Sequence, residues 1–266
     1  MVSIRTLASD AALATRWTRF AARTVTYCTA SVTARPFSGE AVPQAIMRAY
    51  FARVLEDLNI RVEAEGVERL RQHTPCILAA NHSSMLDIPC VGVLCDFDYK
   101  WVSKREIFNV PFIGWHLRAC GHIWVDRRRK DNAQRLAGEF HRVLGSGGSI
   151  LIFPEGTRSE DGVLKPFKRG AFVTAVAEQV PVVPIVVDGT HPLLRKGALR
   201  MSKRSPASVV QVRVLDPIAP PLRGTQHEKV TAMKDATRTA MAVALDALRG
   251  ASSQAGAASD PSDAQY

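Results

Sequence analysis

Apolar runs of strand length, separated by segments with a helical period, are the feature that most limits how this chain can fold. We predict strands at residues 60–64, 75–80, 99–103, 122–125, 149–153, 182–187 and 208–214. We predict helices at residues 131–144, 170–179 and 227–249, with Gly250 ending the last one. Strands that alternate with helices are typical of α/β proteins, so the predicted fold is a mixed, mainly parallel sheet flanked by helices.

The chain before the first predicted strand has the period of two amphipathic helices. In the first, apolar side chains between Leu7 and Val25 share one stripe, and four arginines share the opposite side. These arginines are Arg5, Arg16, Arg19 and Arg23. The second helix begins near Pro43, which suits a first helical turn, and runs to about Leu58. We therefore predict that residues 1–58 form a helical motif on an anionic membrane surface, although packing on the chain's own domain would also explain the pattern.

Composition limits the class of protein further. The 266 residues are 46% hydrophobic, enough for one sizeable core, which we place at residues 59–250. Residues 251–266 are small and polar and are predicted to be disordered. No uncharged apolar run approaches the roughly 20 residues that span a bilayer, which predicts a peripheral membrane protein. Five cysteines without a C-x-x-C pair favour buried thiols in a reducing compartment, and hence the cytoplasmic face of the membrane.

A net charge of +10 suits nucleic acid, anionic lipid headgroups or a phosphorylated substrate. Basic residues at 127–130 lie near aromatic residues, but no nucleic-acid-binding motif accompanies them. The glycines at 145–148 precede a predicted strand, which is the wrong order for a phosphate-binding loop. No G-x-S-x-G nucleophile elbow is present in the sequence. We therefore expect lipid or phosphorylated partners and no nucleic acid.

Asn81, His82 and Asp87 follow directly after an apolar strand. On a continuous helix, His82 and Asp87 would lie about 140° apart and could not meet. A turn after the strand, with a helix beginning near Asp87, would let the carboxylate hold one imidazole nitrogen and leave the other free as a base. Taken alone, the pair is also explained by a structural histidine at a helix cap.

A second polar segment, Phe-Pro-Glu-Gly-Thr-Arg-Ser, follows the strand predicted at residues 149–153. Gly156 permits a tight turn or the close approach of a ligand. Arg158 could bind a phosphate through its guanidinium fork, and Glu155 could orient it or accept a hydroxyl proton. A surface turn with an exposed salt bridge is the alternative. Lys104 also stands at a predicted strand end.

In this order along the chain, the segments resemble the signatures of the glycerolipid acyltransferases, the family of 1-acyl-sn-glycerol-3-phosphate acyltransferases. Residues 81–87 are similar to the first signature, residues 104–127 to the second, residues 153–159 to the third and residues 180–185 to the fourth. One such signature would be weak evidence, whereas four in order across residues 59–190 indicate an O-acyltransferase of phospholipid biosynthesis.

The resemblance implies a role for each matching residue. His82 would be the general base that deprotonates the acceptor hydroxyl, with Asp87 orienting it, and such proton transfer accelerates reactions by roughly 10²–10⁴-fold. The hydroxyl oxygen would attack the thioester of acyl-CoA or acyl-carrier protein directly, without an acyl-enzyme, a metal or another cofactor. The residues implied to bind the substrate phosphate are Lys104, Arg158, Glu155, Gly156, Thr157 and Arg127.

Three functional hypotheses remain at this point. The leading one is acylation of lysophosphatidic acid at its sn-2 hydroxyl, which gives phosphatidic acid. His116 and Trp124 stand where the family more often has small or aliphatic residues, which leaves open another lysolipid acceptor such as lyso-ornithine lipid. A non-catalytic basic protein that binds membranes or nucleic acid would explain the charge, but it does not require four ordered signatures.

Overall fold

Seven strands form one sheet in the computed structural model, which describes residues 4–126, 128, 132–198, 201 and 208–258. The strands are β1 (Ile60–Glu65), β2 (Ile77–Ala80), β3 (Tyr99–Lys104), β4 (Ile123–Val125), β5 (Ser149–Ile152), β6 (Val182–Asp188) and β7 (Ser208–Val214). Their spatial order is β1-β7-β6-β2-β5-β3-β4. Each predicted strand is present with small shifts at its ends.

The sheet is parallel except where β6 meets β7. This confirms the predicted mixed, mainly parallel sheet. Because β2, β3, β5 and β6 run in the same direction, their carboxyl ends all meet one edge, which we call the carboxyl edge. β7 runs the other way from β6, so its carboxyl end lies at the opposite edge.

The helices that accompany the sheet are α1 (Ile4–Ser38), α2 (Ala41–Asp57), α3 (Glu68–Gln72), α4 (Asp87–Gly92), α5 (Arg105–Phe108), α6 (Ile113–Ala119), α7 (Asn132–Gly145), α8 (Gly170–Ala177) and α9 (Gln226–Ala258). They cover both faces of the sheet. Along β2, Leu78 and Ala80 contribute to the core that includes α2 and α4, whereas Ile77 and Ala79 contribute to the core that includes α8 and α9. This alternation explains why β2 is an uninterrupted apolar run, since both of its faces are buried.

α2 shares the first of these cores. Its Tyr50, Phe51 and Val54 pack with residues of β2 and β3. Gly92 of α4 leaves room for the Phe51 ring, because a Cβ atom there would lie 2.4 Å from it. The boundary predicted between residues 58 and 59 therefore runs between elements of one core, and deletion of residues 1–58 would remove part of that core.

α1 packs on the domain through Thr24, Tyr27, Cys28 and Ser31 rather than through its predicted apolar stripe. The Thr24 hydroxyl is hydrogen-bonded to the Tyr50 hydroxyl at 2.7 Å, and Ser31 is buried against α6. Trp17 and Val25, which belong to the predicted stripe, are exposed. Arg5 and Arg16 lie in the part of α1 whose side chains are not described. Within the described residues, no helix has the length and apolar content needed to cross a bilayer.

The last helix corrects one prediction. Gly250 does not end α9, which continues to Ala258. A glycine inside a helix costs only about 1 kcal/mol relative to alanine, and the following segment is rich in alanine, the strongest helix former. The helix thus includes the start of the segment predicted as a disordered tail, and residues 259–266 lie outside the described residues.

Candidate active site

The carboxyl edge collects the residues singled out in the sequence. His82 follows β2, Glu155 follows the neighbouring β5, and Lys104 is the last residue of β3, the strand on the other side of β5. β3 pairs with β5 up to Trp101 and with β4 from Val102 to Lys104. The ends of β2, β5 and β3 therefore lie next to one another at the carboxyl edge.

His82 and Asp87 are in contact, as predicted. The chain turns after β2 and α4 begins at Asp87, which brings Asp87 Oδ2 to 2.8 Å from His82 Nδ1. Asp87 is completely buried, and His82 keeps a small exposed area. Because the hydrogen bond to the carboxylate places the imidazole proton on Nδ1, the lone pair of Nε2 is left to accept a proton.

Further donors surround the Asp87 carboxylate. The backbone N–H groups of Ser83 and Ser84 donate to Oδ2 at 2.7 and 2.8 Å. The hydroxyl of Thr190 donates to Oδ1. Together with His82, these donors replace the water that a buried carboxylate would otherwise need, and they determine its orientation.

Thr190 is a residue that sequence reasoning missed. It is completely buried and follows β6, whose carboxyl end lies beside that of β2. Its hydroxyl also lies 3.1 Å from the Ser83 hydroxyl. Thr190 follows a strand end as His82 does, but the sequence does not reveal that β6 lies beside β2.

His82 is held by its backbone and its ring as well. Its N–H donates to Glu155 Oε1 at 2.7 Å, and its carbonyl accepts the N–H of Ser159 at 2.7 Å. Its ring stacks on Phe153, with 4.0 Å between the centroids. The segment that follows β5 therefore fixes the position of the histidine, a function that the sequence did not suggest for Phe153 or Ser159.

Glu155 accepts a hydrogen bond with each of its two carboxylate oxygens. While Oε1 accepts the N–H of His82, Oε2 accepts the N–H of Lys165 at 3.0 Å. Burial raises the pKa of Glu155 to about 7, against the lowering effect of these two hydrogen bonds, and the Asp87 charge raises it further. The carboxylate thus joins three chain segments at the site.

Gly156 forms a tight turn, which is one of the two roles that the sequence allowed. Its φ is +74°, and its N–H donates to the Phe153 carbonyl at 2.9 Å. Thr157 and Arg158 follow and are half-buried. Lys165 donates its ammonium group to the Arg158 carbonyl at 3.1 Å, which ties down the backbone of this loop.

Within the part of the chain that the structure describes, neither the Lys104 ammonium nor the Arg158 guanidinium takes part in a hydrogen bond or an ion pair. Arg158 immediately precedes Ser159, which is bonded to His82, so its side chain starts close to the histidine. Arg127, the third predicted phosphate contact, lies outside the described residues. Unpaired cations near a base suit an anionic substrate.

A buried group formed by His116, Cys120 and His122 has the side chains of a metal site. It does not offer three lone pairs, however, because His122 Nδ1 accepts the N–H of Trp101 and its proton must then be on Nε2. His116 Nδ1 is hydrogen-bonded to the Ser31 hydroxyl of α1 at 2.7 Å, and burial lowers its pKa to about 4. His116 thus belongs to the contact between α1 and α6 rather than to the substrate site.

Comparison with known proteins gives one consistent family. The Acyltransferase family matches residues 61–188. An uncharacterized acyltransferase of Schizosaccharomyces pombe is 35% identical over 201 residues, which cover 74% of this chain and 70% of that protein. The human 1-acyl-sn-glycerol-3-phosphate acyltransferase alpha is 32% identical over 197 residues, with coverage of 74% and 68%.

One further relative matches over a smaller part of its length, and one solved structure matches at a lower sequence identity. A chloroplastic 1-acyl-sn-glycerol-3-phosphate acyltransferase of Brassica napus is 38% identical over 139 residues, and the match spans 40% of that protein's length. The crystal structure of the 1-acyl-sn-glycerophosphate acyltransferase of Thermotoga maritima matches with a TM-score of 0.63, covering 88% of this chain and 98% of that one. At 23% identity, the second likeness demonstrates the shared fold.

Proposed function

Because this chain belongs to the acyltransferase family, we propose that it transfers a fatty acyl group from acyl-CoA or acyl-carrier protein to the sn-2 hydroxyl of lysophosphatidic acid. The product is phosphatidic acid. One observation carries the proposal: Nε2 of the His82–Asp87 pair lies at the same edge of the sheet as Lys104 and Arg158, two cations that have no partner among the described residues. The names of the human and plant relatives support this choice of acceptor.

The chemistry follows from the geometry of the pair. His82 Nε2 takes the proton of the acceptor hydroxyl as its oxygen attacks the thioester carbonyl. The buried Asp87 carboxylate stabilises the imidazolium that forms. When the tetrahedral intermediate collapses, the carbon–sulfur bond breaks, and the imidazolium returns its proton to the departing thiolate. An ester and a free thiol result, and His82 is neutral again.

Direct transfer agrees with the cysteines of the chain. All five are unpaired and buried. Burial raises the pKa of Cys76 to about 11, and it raises the pKa of the other four as well. A thiol nucleophile for an acyl-enzyme needs a lowered pKa and access to the substrate, and these cysteines have neither.

The acceptor phosphate is assigned to Lys104 and Arg158, with Arg127 as a third contact. The guanidinium of Arg158 can form paired hydrogen bonds with two phosphate oxygens, whereas Lys104 contributes a point charge from two strands away. Glu155, Gly156 and Thr157 shape the pocket by setting the course of the loop that carries Arg158. Another lysolipid acceptor is the second candidate. It is motivated by Trp124, whose ring centroid lies 5.4 Å from the Arg105 guanidinium and 3.5 Å from that of Arg135.

An acceptor panel tests the proposal. Purified protein in detergent is given acyl-CoA and a series of lysolipids, and the released thiol is measured. We expect the highest kcat/KM with lysophosphatidic acid and no turnover by His82→Ala. His141→Ala is the matched control, because His141 also pairs with a carboxylate, Glu178, but on the exposed surface. Wild-type turnover by His82→Ala would contradict the mechanism, and preference for an acceptor without phosphate would contradict the assignment of Lys104 and Arg158.

The acceptor is a membrane lipid, so we assign the protein to the cytoplasmic face of an anionic membrane as a peripheral protein. The exposed Trp17, Phe20 and Val25 of α1 support this assignment. Since deletion of residues 1–58 would disturb the core, the test is substitution of Trp17 and Phe20 by serine, followed by co-sedimentation with anionic vesicles. Unchanged binding would place the membrane contact elsewhere on the protein.

A further inference from the structure

A second exposed apolar surface is formed by side chains of α5, of α6 and of the segment that joins them. We call it the α5–α6 surface; it consists of Ile107, Val110, Pro111, Phe112 and Trp115. Ile107, Val110 and Trp115 are 40%, 39% and 53% exposed, and the rings of Phe112 and Trp115 lie 4.9 Å apart. Side chains of this kind are usually buried, and here they follow one another within nine residues of a single segment.

The backbone of this surface is rigidly held. Phe112 has φ +63° and ψ −57°, and the N–H of Ile113 donates to the Pro111 carbonyl at 2.7 Å. This is a γ-turn of the strained type, which bulky residues rarely adopt. Gly114 presses against the Phe108 carbonyl so closely that a Cβ atom would lie 1.9 Å from its oxygen. Such packing keeps the apolar side chains exposed, and strain of this kind is often maintained at functional positions.

Cations border the α5–α6 surface. Lys104, Arg105 and Arg118 are exposed on the same segment. Arg105 also forms an ion pair with Asp126 at 3.2 Å, and the nearby Glu106 is paired with Arg128 at 3.4 Å. The exposed border therefore carries a net positive charge and suits an anionic partner.

The surface lies beside the acceptor site and beside the N-terminal helix. Lys104 is at the carboxyl edge, and α5 begins at the next residue. α6, which carries Trp115, contacts α1 through the hydrogen bond between His116 and Ser31. A bilayer in contact with this segment would be adjacent both to the phosphate-binding cation and to α1.

We propose that the α5–α6 surface inserts shallowly into an anionic bilayer and brings the membrane to the edge of the acceptor site. This inference rests on the proposed function, because a lysolipid acceptor arrives from a bilayer. A tryptophan, aliphatic side chains and a cationic border form the usual pattern of an interfacial membrane contact. A few protruding side chains are too small a patch for a stable protein interface, which buries about 1,200–2,000 Å².

Vesicle binding by the full chain, without substrates, tests the proposal. The vesicles contain equal amounts of phosphatidylcholine and phosphatidylglycerol, and the background is Trp17→Phe. We expect Trp115→Ala to weaken binding by about tenfold, the effect of removing one buried aromatic group. We expect Val110→Glu to weaken binding further. Leu222→Ala and Leu222→Glu are the controls, because Leu222 is 88% exposed on the loop after β7, near the opposite edge of the sheet.

Tryptophan fluorescence gives a second reading. Bromine-labelled lipids quench the fluorescence of a tryptophan that enters the bilayer. We therefore expect them to quench the fluorescence of the Trp17→Phe protein. This quenching should disappear when Trp115 is also replaced by phenylalanine. Equal vesicle binding by the Trp115 and Leu222 variants would overturn the proposal. The affinity of the Trp115 and Val110 variants for acyl-carrier protein is measured as well. If these variants keep their vesicle binding but lose this affinity, the surface binds a protein partner and the proposal is overturned. None of these measurements needs turnover, so failure of the proposed function would appear separately.

Discussion

Replacement of Thr190 by valine tests whether the donors around Asp87 matter for catalysis. Valine has nearly the volume of threonine but lacks the hydroxyl, so Asp87 Oδ1 loses a donor and the Ser83 hydroxyl loses a neighbour. A hydrogen bond to a charged group contributes about 1.5–3 kcal/mol. Because Asp87 is completely buried, no water is available to replace the lost hydroxyl.

The substitution affects folding and catalysis separately. It lowers the free energy of unfolding, by about 1 kcal/mol or more, since a buried carboxylate is left with fewer donors. A further loss appears in the transition state, where the Asp87 charge must stabilise the His82 imidazolium in one orientation. If about 1.4 kcal/mol falls on that step, kcat decreases about tenfold while the KM of the acceptor changes little.

Steady-state kinetics and thermal unfolding measure the two parts. Thr190→Ser is the matched variant, because it keeps the hydroxyl and removes only a methyl group. We expect serine to restore most of kcat, even if it leaves a small loss of stability. A kcat equal to that of the wild type in Thr190→Val would refute the reasoning, and so would a serine variant that is as slow as the valine variant.

Two further predictions concern Glu155 and Arg158. The pKa of Glu155 rises from an ordinary 4.5 to about 7 on folding, so the folded state binds this proton more tightly and loses stability as the pH rises through that range. The loss of stability amounts to about 3 kcal/mol, and we expect it to be absent in Glu155→Gln. Urea unfolding at several pH values measures the free energy of unfolding of both proteins. Identical pH profiles for the two proteins would contradict the prediction. Arg158→Ala should raise the KM of a phosphate-bearing acceptor by about tenfold and leave an acceptor without phosphate unaffected, which kinetics with both acceptors measures. Lys196→Ala, which removes an exposed cation paired with Glu160, is the control, and equal losses with both acceptors would argue against a phosphate contact.

Local features of the sequence determined the strands and the histidine–aspartate contact. A strand buried on both faces reads as an apolar run whatever its neighbours are, and β2 is such a strand. His82 and Asp87 are five residues apart, so a single turn decides whether they meet. The sequence allowed a tight turn at Gly156, and glycine adopts the positive φ found there without steric cost.

Local patterns were incomplete at the start of the chain and misleading at its end. The periodicity of α1 left open whether its apolar stripe faces a membrane or the domain. In the structure Thr24, Cys28 and Ser31 are buried instead, and the hydroxyls of Thr24 and Ser31 form hydrogen bonds to α2 and α6. The predicted helix end at Gly250 is wrong, because the weak helix propensity of one glycine does not outweigh the residues on either side.

Only the tertiary structure decided what surrounds His82 and Asp87. Thr190 and Asp87 are 103 residues apart in the sequence, and Glu155 and His82 are 73 apart. They meet because β2 lies between β6 and β5, an order that no local pattern encodes. The sequence by itself thus determined the pair that performs the chemistry. The order of the strands decided which buried groups hold that pair in position. Contacts between strand ends depend on adjacency in the sheet and not on distance along the chain.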